Sequence, residues 1–235
     1  MVTDADRGTP DAGQSPAGYP VLILDDHELF STSLTMALRG HGFDAHQIPV
    51  ARLSDFLHQA SDGPAGLVVL DLDLGRDTEG RWVHGADLVG SLRELGWQVL
   101  VVSGSVDQPG VAAAIARGAI GSVPKSSSFE TLVRTVGIAA EGKPIMTDTE
   151  RYHWLARHRG YQAREIELSR RLDRLSNRER EVLELLAEGH RAGAIAERFV
   201  VSMATVRTQI RAILVKLEVN SQLEAVALVR QSPTR

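Results

Sequence analysis

The chain has no cysteine, so disulfides and thiolate metal sites are excluded, and a reducing compartment such as the cytoplasm fits. It also lacks any apolar stretch long enough to span a bilayer. Its first residues, Met1-Val2-Thr3-Asp4-Ala5-Asp6-Arg7, hold no apolar core for a secretion signal. The eight histidines are scattered, with no pair at a convincing ligand spacing. What remains is a 235-residue chain, 43% hydrophobic, with enough apolar material for one large domain or two small ones.

Charge divides the chain. Residues 151–235 carry 16 Lys and Arg against 10 Asp and Glu, whereas residues 1–150 carry 10 against 20. The net −4 therefore hides a basic half behind an acidic one, which points to two modules with different partners. For the basic module, a polyanion is the first candidate.

Residues 1–18 are rich in Asp, Gly, Pro, Ser and Ala, and a disordered tail is expected. Beyond them, near-continuous apolar runs alternate with helical patterns. Val21-Leu22-Ile23-Leu24 runs into Asp25-Asp26, and Leu67-Val68-Val69-Leu70 into Asp71. Val99-Leu100-Val101-Val102 leads to Ser103, and Ala119-Ile120-Gly121-Ser122-Val123-Pro124 to Lys125. Runs of this kind mark strands buried on both faces. Between them lie the helical sets Leu29, Phe30, Leu34, Ala37, Leu38; Leu53, Phe56, Leu57; Leu88, Leu92, Leu95; Val111, Ala114, Ile115; and Leu132, Val136, Ile138. Five strand–helix units imply an α/β, doubly wound five-stranded parallel sheet, expected over 19–142.

Residues 143–170 read as a charged helical linker with a possible break at Gly160. Tyr161, Leu168 and Leu175 recur at seven-residue intervals, so a solvated helix and a dimerising helix both remain open. Residues 171–235 read as a small all-α domain. Ser176 and Glu179 form a capping box, Gly189 ends that helix, and a short helix is expected over 192–199. Ser202 can cap a third helix, and Ser221 with Glu224 a fourth. Val206, Ile210, Ile213, Leu214 and Leu217 make one apolar stripe, leaving Thr205, Arg207, Thr208, Gln209 and Arg211 mainly off it. Such a helix suits insertion into a DNA major groove.

In an open α/β sheet, the residues at the strand carboxyl ends share one rim. Asp25, Asp26 and Asp71 clustered there repel one another, and a divalent cation relieves the repulsion. Hard oxygen ligands favour Mg²⁺. Lys125 and the Ser103 hydroxyl can hold phosphoryl oxygens, and Asp71 can accept a phosphoryl group as an acyl phosphate.

These motifs together resemble a known family. Asp25-Asp26-His27, Leu70-Asp71, Val102-Ser103-Gly104 and Gly118-Ala119-Ile120-Gly121 leading to Lys125 are similar to a response-regulator receiver domain, a flavodoxin-like fold. Leu175-Ser176-Asn177-Arg178-Glu179-Arg180-Glu181-Val182-Leu183, Ile195-Ala196-Glu197-Arg198 and Ser202 through Thr205-Val206-Arg207-Thr208 resemble a LuxR-type helix-turn-helix. The order of modules is that of NarL/FixJ-type response regulators. The resemblance implies Asp71 as phosphoacceptor, and Asp25, Asp26, Asp71 and the Asp73 carbonyl as Mg²⁺ ligands. It also implies a sensor histidine kinase as donor and a switch through Ser103 toward position 122. Arg207, Thr208 and Arg211 would lie in the DNA groove; Lys216 would either touch a phosphate or offset its helix dipole.

Three positions depart from the family. Gly75 replaces a usual proline, the loop from Leu74 to Gly85 is long, and Ser122 replaces the switch aromatic. Trp82 and His84 in that loop read as loop packing or as a partner contact. The expectation is a cytoplasmic, non-enzymatic transcription regulator that dimerises when phosphorylated and binds double-stranded DNA. The alternative is a DNA-binding regulator independent of phosphorylation, whose receiver senses a protein or ligand. A third reading, a haloacid-dehalogenase-type phosphatase built on Asp71 and Asp73, fits poorly: a full strand–helix–strand–helix segment precedes Asp71, and Leu74-Gly75 follows.

Overall fold

The computed structural model describes residues 18–53, 56–57, 65–77, 79–104 and 108–231, and divides into two compact units, Met1–His158 and Arg159–Arg235. The expected tail lies outside the described residues but for Gly18.

The first unit carries a parallel sheet of β1 (Pro20–Leu24), β2 (Asp44–Gln47), β3 (Leu67–Asp71), β6 (Gln98–Ser103) and β7 (Gly121–Pro124), in the order β2-β1-β3-β6-β7. Alternation along each strand sends side chains to opposite faces. Leu22, Leu24, Val68, Leu70, Val99 and Val101 therefore share one core with Val89 and Leu92 of α2 (Gly85–Glu94) and with Val111, Ala114 and Ile115 of α3 (Gln108–Ala116). Val21, Ile23, Leu67, Val69, Leu100 and Val102 share the other with Leu34 and Leu38 of α1 (Glu28–Gly40) and with Leu132 and Val136 of α4 (Phe129–Ala140). Both faces are covered, as the unbroken apolar runs require. The strand order reverses between β1 and β3, and their carboxyl ends open the crevice where such sheets bind ligands.

Two expectations need correction here. The long loop after Asp71 is mostly a β-hairpin, β4 (Asp73–Arg76) paired antiparallel with β5 (Trp82–His84). Leu74 is buried and Val83 packs on the core, while Trp82 stays 56% exposed under the Arg76 guanidinium, 4.6 Å from the ring centroid. Gly75, at φ +69°, occupies the left-handed region where the register shifts by one residue, a conformation that glycine reaches without strain. Leu29, read as part of the α1 apolar stripe, is 83% exposed. Of the helix expected around Leu53, Phe56 and Leu57, part lies outside the described residues; those three residues pack into the first core.

Helix α5 (Asp148–Asp173) runs through Gly160 without a break. Neighbouring residues are good helix formers, so one glycine costs only about 1 kcal/mol. The second unit packs α6 (Asn177–Ala187), α7 (Ala192–Phe199), α8 (Met203–Leu217) and α9 (Gln222–Gln231) around Leu175, Val182, Leu183, Ile195, Val206, Ile210, Ile213 and Leu217. Ser176 and Glu179 close the expected capping box, and Ser202 accepts the Thr205 N–H at 3.1 Å. At α9, Ser221 accepts the Glu224 N–H, but the Glu224 carboxylate bonds the Asn220 N–H instead of closing back on Ser221.

Candidate functional site

Asp71 is the last residue of β3 and is 3% exposed; Asp25 and Asp26 follow β1, the neighbouring strand. Adjacent parallel strands that end in register bring these acids together. One ligand atom each from Asp25, Asp26, His27 and Asp71 lies within 4.8 Å of the others. Lys125, just past β7, reaches across with its Nζ 2.5 Å from Asp71 Oδ2 and 2.8 Å from Asp25 Oδ2. Its backbone N–H donates to Ser103 O at 2.8 Å, which ties the ends of β6 and β7 to the same rim. Ser103 itself is buried.

Burial pushes the Asp71 carboxyl above the ordinary aspartate range. The Lys125 hydrogen bond opposes this, and the Asp25 charge adds to it. Burial would lower the Lys125 pKa, but its bonds to Asp25 and Asp71 outweigh that and raise it. One ammonium faces three carboxylates, so negative charge remains in excess. Oxygen donors carrying excess negative charge are the ligand set that a hard divalent cation takes. The residues present fit Mg²⁺.

Asp73 begins β4, two residues past Asp71. Because the Gly85 N–H donates to Leu72 O at 2.9 Å, the Asp73–His84 pair is of the type that exchanges no hydrogen bonds. The Asp73 carbonyl is thus not used by that pair. Its side chain accepts the Gly75 N–H at 3.3 Å and serves its own turn. Ser122 is half-buried on β7 beside Val101.

Two neighbours went unassigned in the sequence. His27 Nδ1 lies 2.7 Å from Asp26 Oδ1 and 3.3 Å from Lys125 Nζ; its position after two acids was the available signal. Phe30 places its ring 5.4 Å from Lys125 Nζ and stacks on Phe129 at 5.8 Å, contacts that no local pattern announces.

In the second unit, Thr205, Arg207, Thr208 and Arg211 are exposed on α8. Among the described residues, neither arginine is ion-paired. Gln209 is less available, being half-buried with Oε1 enclosed and unbonded. Lys216 is committed elsewhere: its Nζ donates to Oε2 of buried Glu179 at 2.6 Å, and the Ser176 N–H donates to the same oxygen at 2.7 Å. Burial opposes ionisation of Glu179, but the bonds from Lys216 and Ser176 prevail and lower its pKa. The sequence offered Lys216 a DNA phosphate or its helix dipole, and a partner 37 residues away leaves no local trace.

An acid cluster around buried Asp71 at a sheet switch point, followed by a small helical unit with an exposed basic helix, defines a two-part regulator. The description "Response regulator receiver domain" matches residues 21–137, and "Bacterial regulatory proteins, luxR family" matches residues 173–229. The chain belongs to the response regulators that join a receiver to a LuxR-type DNA-binding domain, and is a transcription regulator. It is 28% identical to the nitrate/nitrite response regulator protein NarL of Escherichia coli K12, over 94% of this chain and 98% of that one. To the transcriptional regulatory protein LiaR of Bacillus subtilis it is also 28% identical, over 87% and 93%. The solved RcsB of Salmonella enterica serovar Typhimurium, bound to promoter DNA with BeF3⁻ present, aligns at 20% identity over 90% and 98% with a TM-score of 0.48. Among the described residues, no helix is long and apolar enough to cross a membrane.

Proposed function

We propose that this regulator is switched by phosphorylation of Asp71. The observation that carries the reading is Lys125 Nζ bridging the buried carboxylates of Asp71 and Asp25 at the switch point of the sheet. Asp25, Asp26, Asp71 and the Asp73 carbonyl would hold Mg²⁺, whose charge would offset that of the incoming phosphoryl oxygens. An Asp71 carboxylate oxygen forms the new bond to phosphorus as the bond from phosphorus to the donor imidazole of a sensor histidine kinase breaks. Lys125 pairs with one phosphoryl oxygen, and Ser103 donates its hydroxyl to another. Ser122 carries no ring to rotate, so the signal leaves the site by the Ser103 hydroxyl and by rearrangement of β7.

The receiver spans 19–142, the linker 143–170 and the DNA-binding domain 171–235. The phosphorylated form is a homodimer, and each copy reads a half-site of double-stranded DNA with Thr205, Arg207, Thr208 and Arg211. Gln209 joins them after its amide turns outward, and Lys216 fixes α8 rather than touching phosphate. Adding beryllofluoride with Mg²⁺ should shift both the oligomeric state and the DNA affinity. No change in either favours the alternative, in which the receiver acts without phosphorylation.

A further inference from the structure

The hairpin that follows Asp71 returns to the acceptor's own backbone. Its last strand, β5, ends at His84, and Gly85, the first residue of α2, donates its N–H to Leu72 O at 2.9 Å. The approach is so close that a Cβ at position 85 would lie 1.9 Å from Asp71 O and 3.1 Å from Leu72 Cα. Gly85 is not among the glycines with positive φ, so the requirement is for space, not for a left-handed backbone. The atom it would strike is backbone, which cannot swing aside as a flexible side chain could.

The Asp71 carbonyl belongs to the same planar peptide unit as the Leu72 N–H. That N–H donates to Asp71 Oδ1 at 2.7 Å, while Oδ2 receives Lys125 at 2.5 Å. The orientation of the carboxylate is therefore set by this peptide plane, by the lysine and by the Asp73 N–H. A side chain at position 85 forces backbone to move, and Gly85's own bond to Leu72 O passes that movement to the 71–72 peptide plane. The Leu72 N–H would then turn away from Oδ1, and the carboxylate would rotate relative to Lys125.

We propose that Gly85 is a positioning residue for the phosphoacceptor: it lets the β4–β5 hairpin close on the 71–72 peptide, which aims the Asp71 carboxylate. The proposal rests on Asp71 as acceptor. Through Gly85 the far end of the hairpin, and not only Asp73 at its start, bears on the site.

Gly66, at the opposite end of the same strand, supplies a matched control. A Cβ there would lie 2.1 Å from Pro20 O, a comparable clash remote from the acids. The experiment compares full-length wild type, Gly85→Ala and Gly66→Ala for thermal stability and for the rate of labelling by acetyl phosphate at saturating Mg²⁺. The Leu72 amide proton shift is followed without Mg²⁺. Both variants should lose stability. Only Gly85→Ala should label about 10- to 100-fold more slowly and lose the hydrogen-bonded Leu72 amide shift. Labelling of Gly85→Ala at the wild-type rate, or equal slowing in Gly66→Ala, overturns the proposal. A wild type that takes no label overturns Asp71 as acceptor instead, and the amide shift still decides the role of Gly85. Should Gly85→Ala not fold, exchanging Leu72 for its α-hydroxy acid removes the N–H and leaves Gly85 in place. Slow labelling then supports the proposal, and the wild-type rate overturns it.

Discussion

Lys125 Nζ sits 2.5 Å from Asp71 Oδ2 and 2.8 Å from Asp25 Oδ2, so one ammonium holds two carboxylates that are only 4% and 2% exposed at the side chain. Removing it leaves both acids buried with backbone N–H donors, from His27 and Leu72, but without the lysine charge. Lys125→Met should cost about 3 kcal/mol of stability without divalent cation. Mg²⁺ should return part of the loss, because an ion that binds only the folded state stabilises it. Urea denaturation with and without Mg²⁺ measures both effects; an unchanged midpoint would remove the bridge from the account.

The raised Asp71 pKa gives a sign to the pH dependence. The folded state holds this proton more tightly than the unfolded chain. Stability therefore falls as pH rises from the ordinary aspartate range through the folded pKa. Asp71→Asn should flatten that part of the metal-free stability profile. Lys125 is also raised, so its contribution is present at neutral pH and is lost only as pH rises through its folded value. A profile for Asp71→Asn that keeps the wild-type slope would assign the effect to other groups.

Two basic side chains on α8 should behave differently. Arg207→Ala should cost about 1–3 kcal/mol on a selected DNA site and much less on random DNA, as expected for a base contact. Lys216→Ala should instead destabilise the second unit by about 1–2 kcal/mol, since buried Glu179 loses its cation. Its affinity should fall on all DNA in proportion to the unfolded fraction. Reversed outcomes would exchange the roles of the two residues.

Val200 closes α7 in the left-handed conformation, φ +55° and ψ +47°, and is 90% exposed. A β-branched side chain is disfavoured there and packs against little. Val200→Gly should relieve strain and stabilise the second unit by about 1 kcal/mol, read from denaturant midpoints. Destabilisation would mean that the side chain makes a contact outweighing the strain.

Legibility in the sequence followed the range of the interactions. The strands with both faces buried wrote themselves as apolar runs, and their ends named Asp25, Asp71, Ser103 and Lys125. The edge strand β2, Asp44-Ala45-His46-Gln47, buries only Ala45 and left no such run. The hairpin β4–β5 was hidden because only Leu74 and Val83 face the core, too few for a period to emerge. Caps at Ser176 and Ser202 depend on residues three apart and were readable. The Glu179–Lys216 pair and the Gly85 approach to Asp71 join segments distant along the chain, and only the fold reveals them.

The proposed switch depends on Asp71 as the nucleophile. Incubating the full chain with radiolabelled acetyl phosphate and Mg²⁺, beside Asp71→Asn, tests it most directly. The wild type should carry an alkali-labile label and Asp71→Asn none. Undiminished labelling of the variant would contradict it.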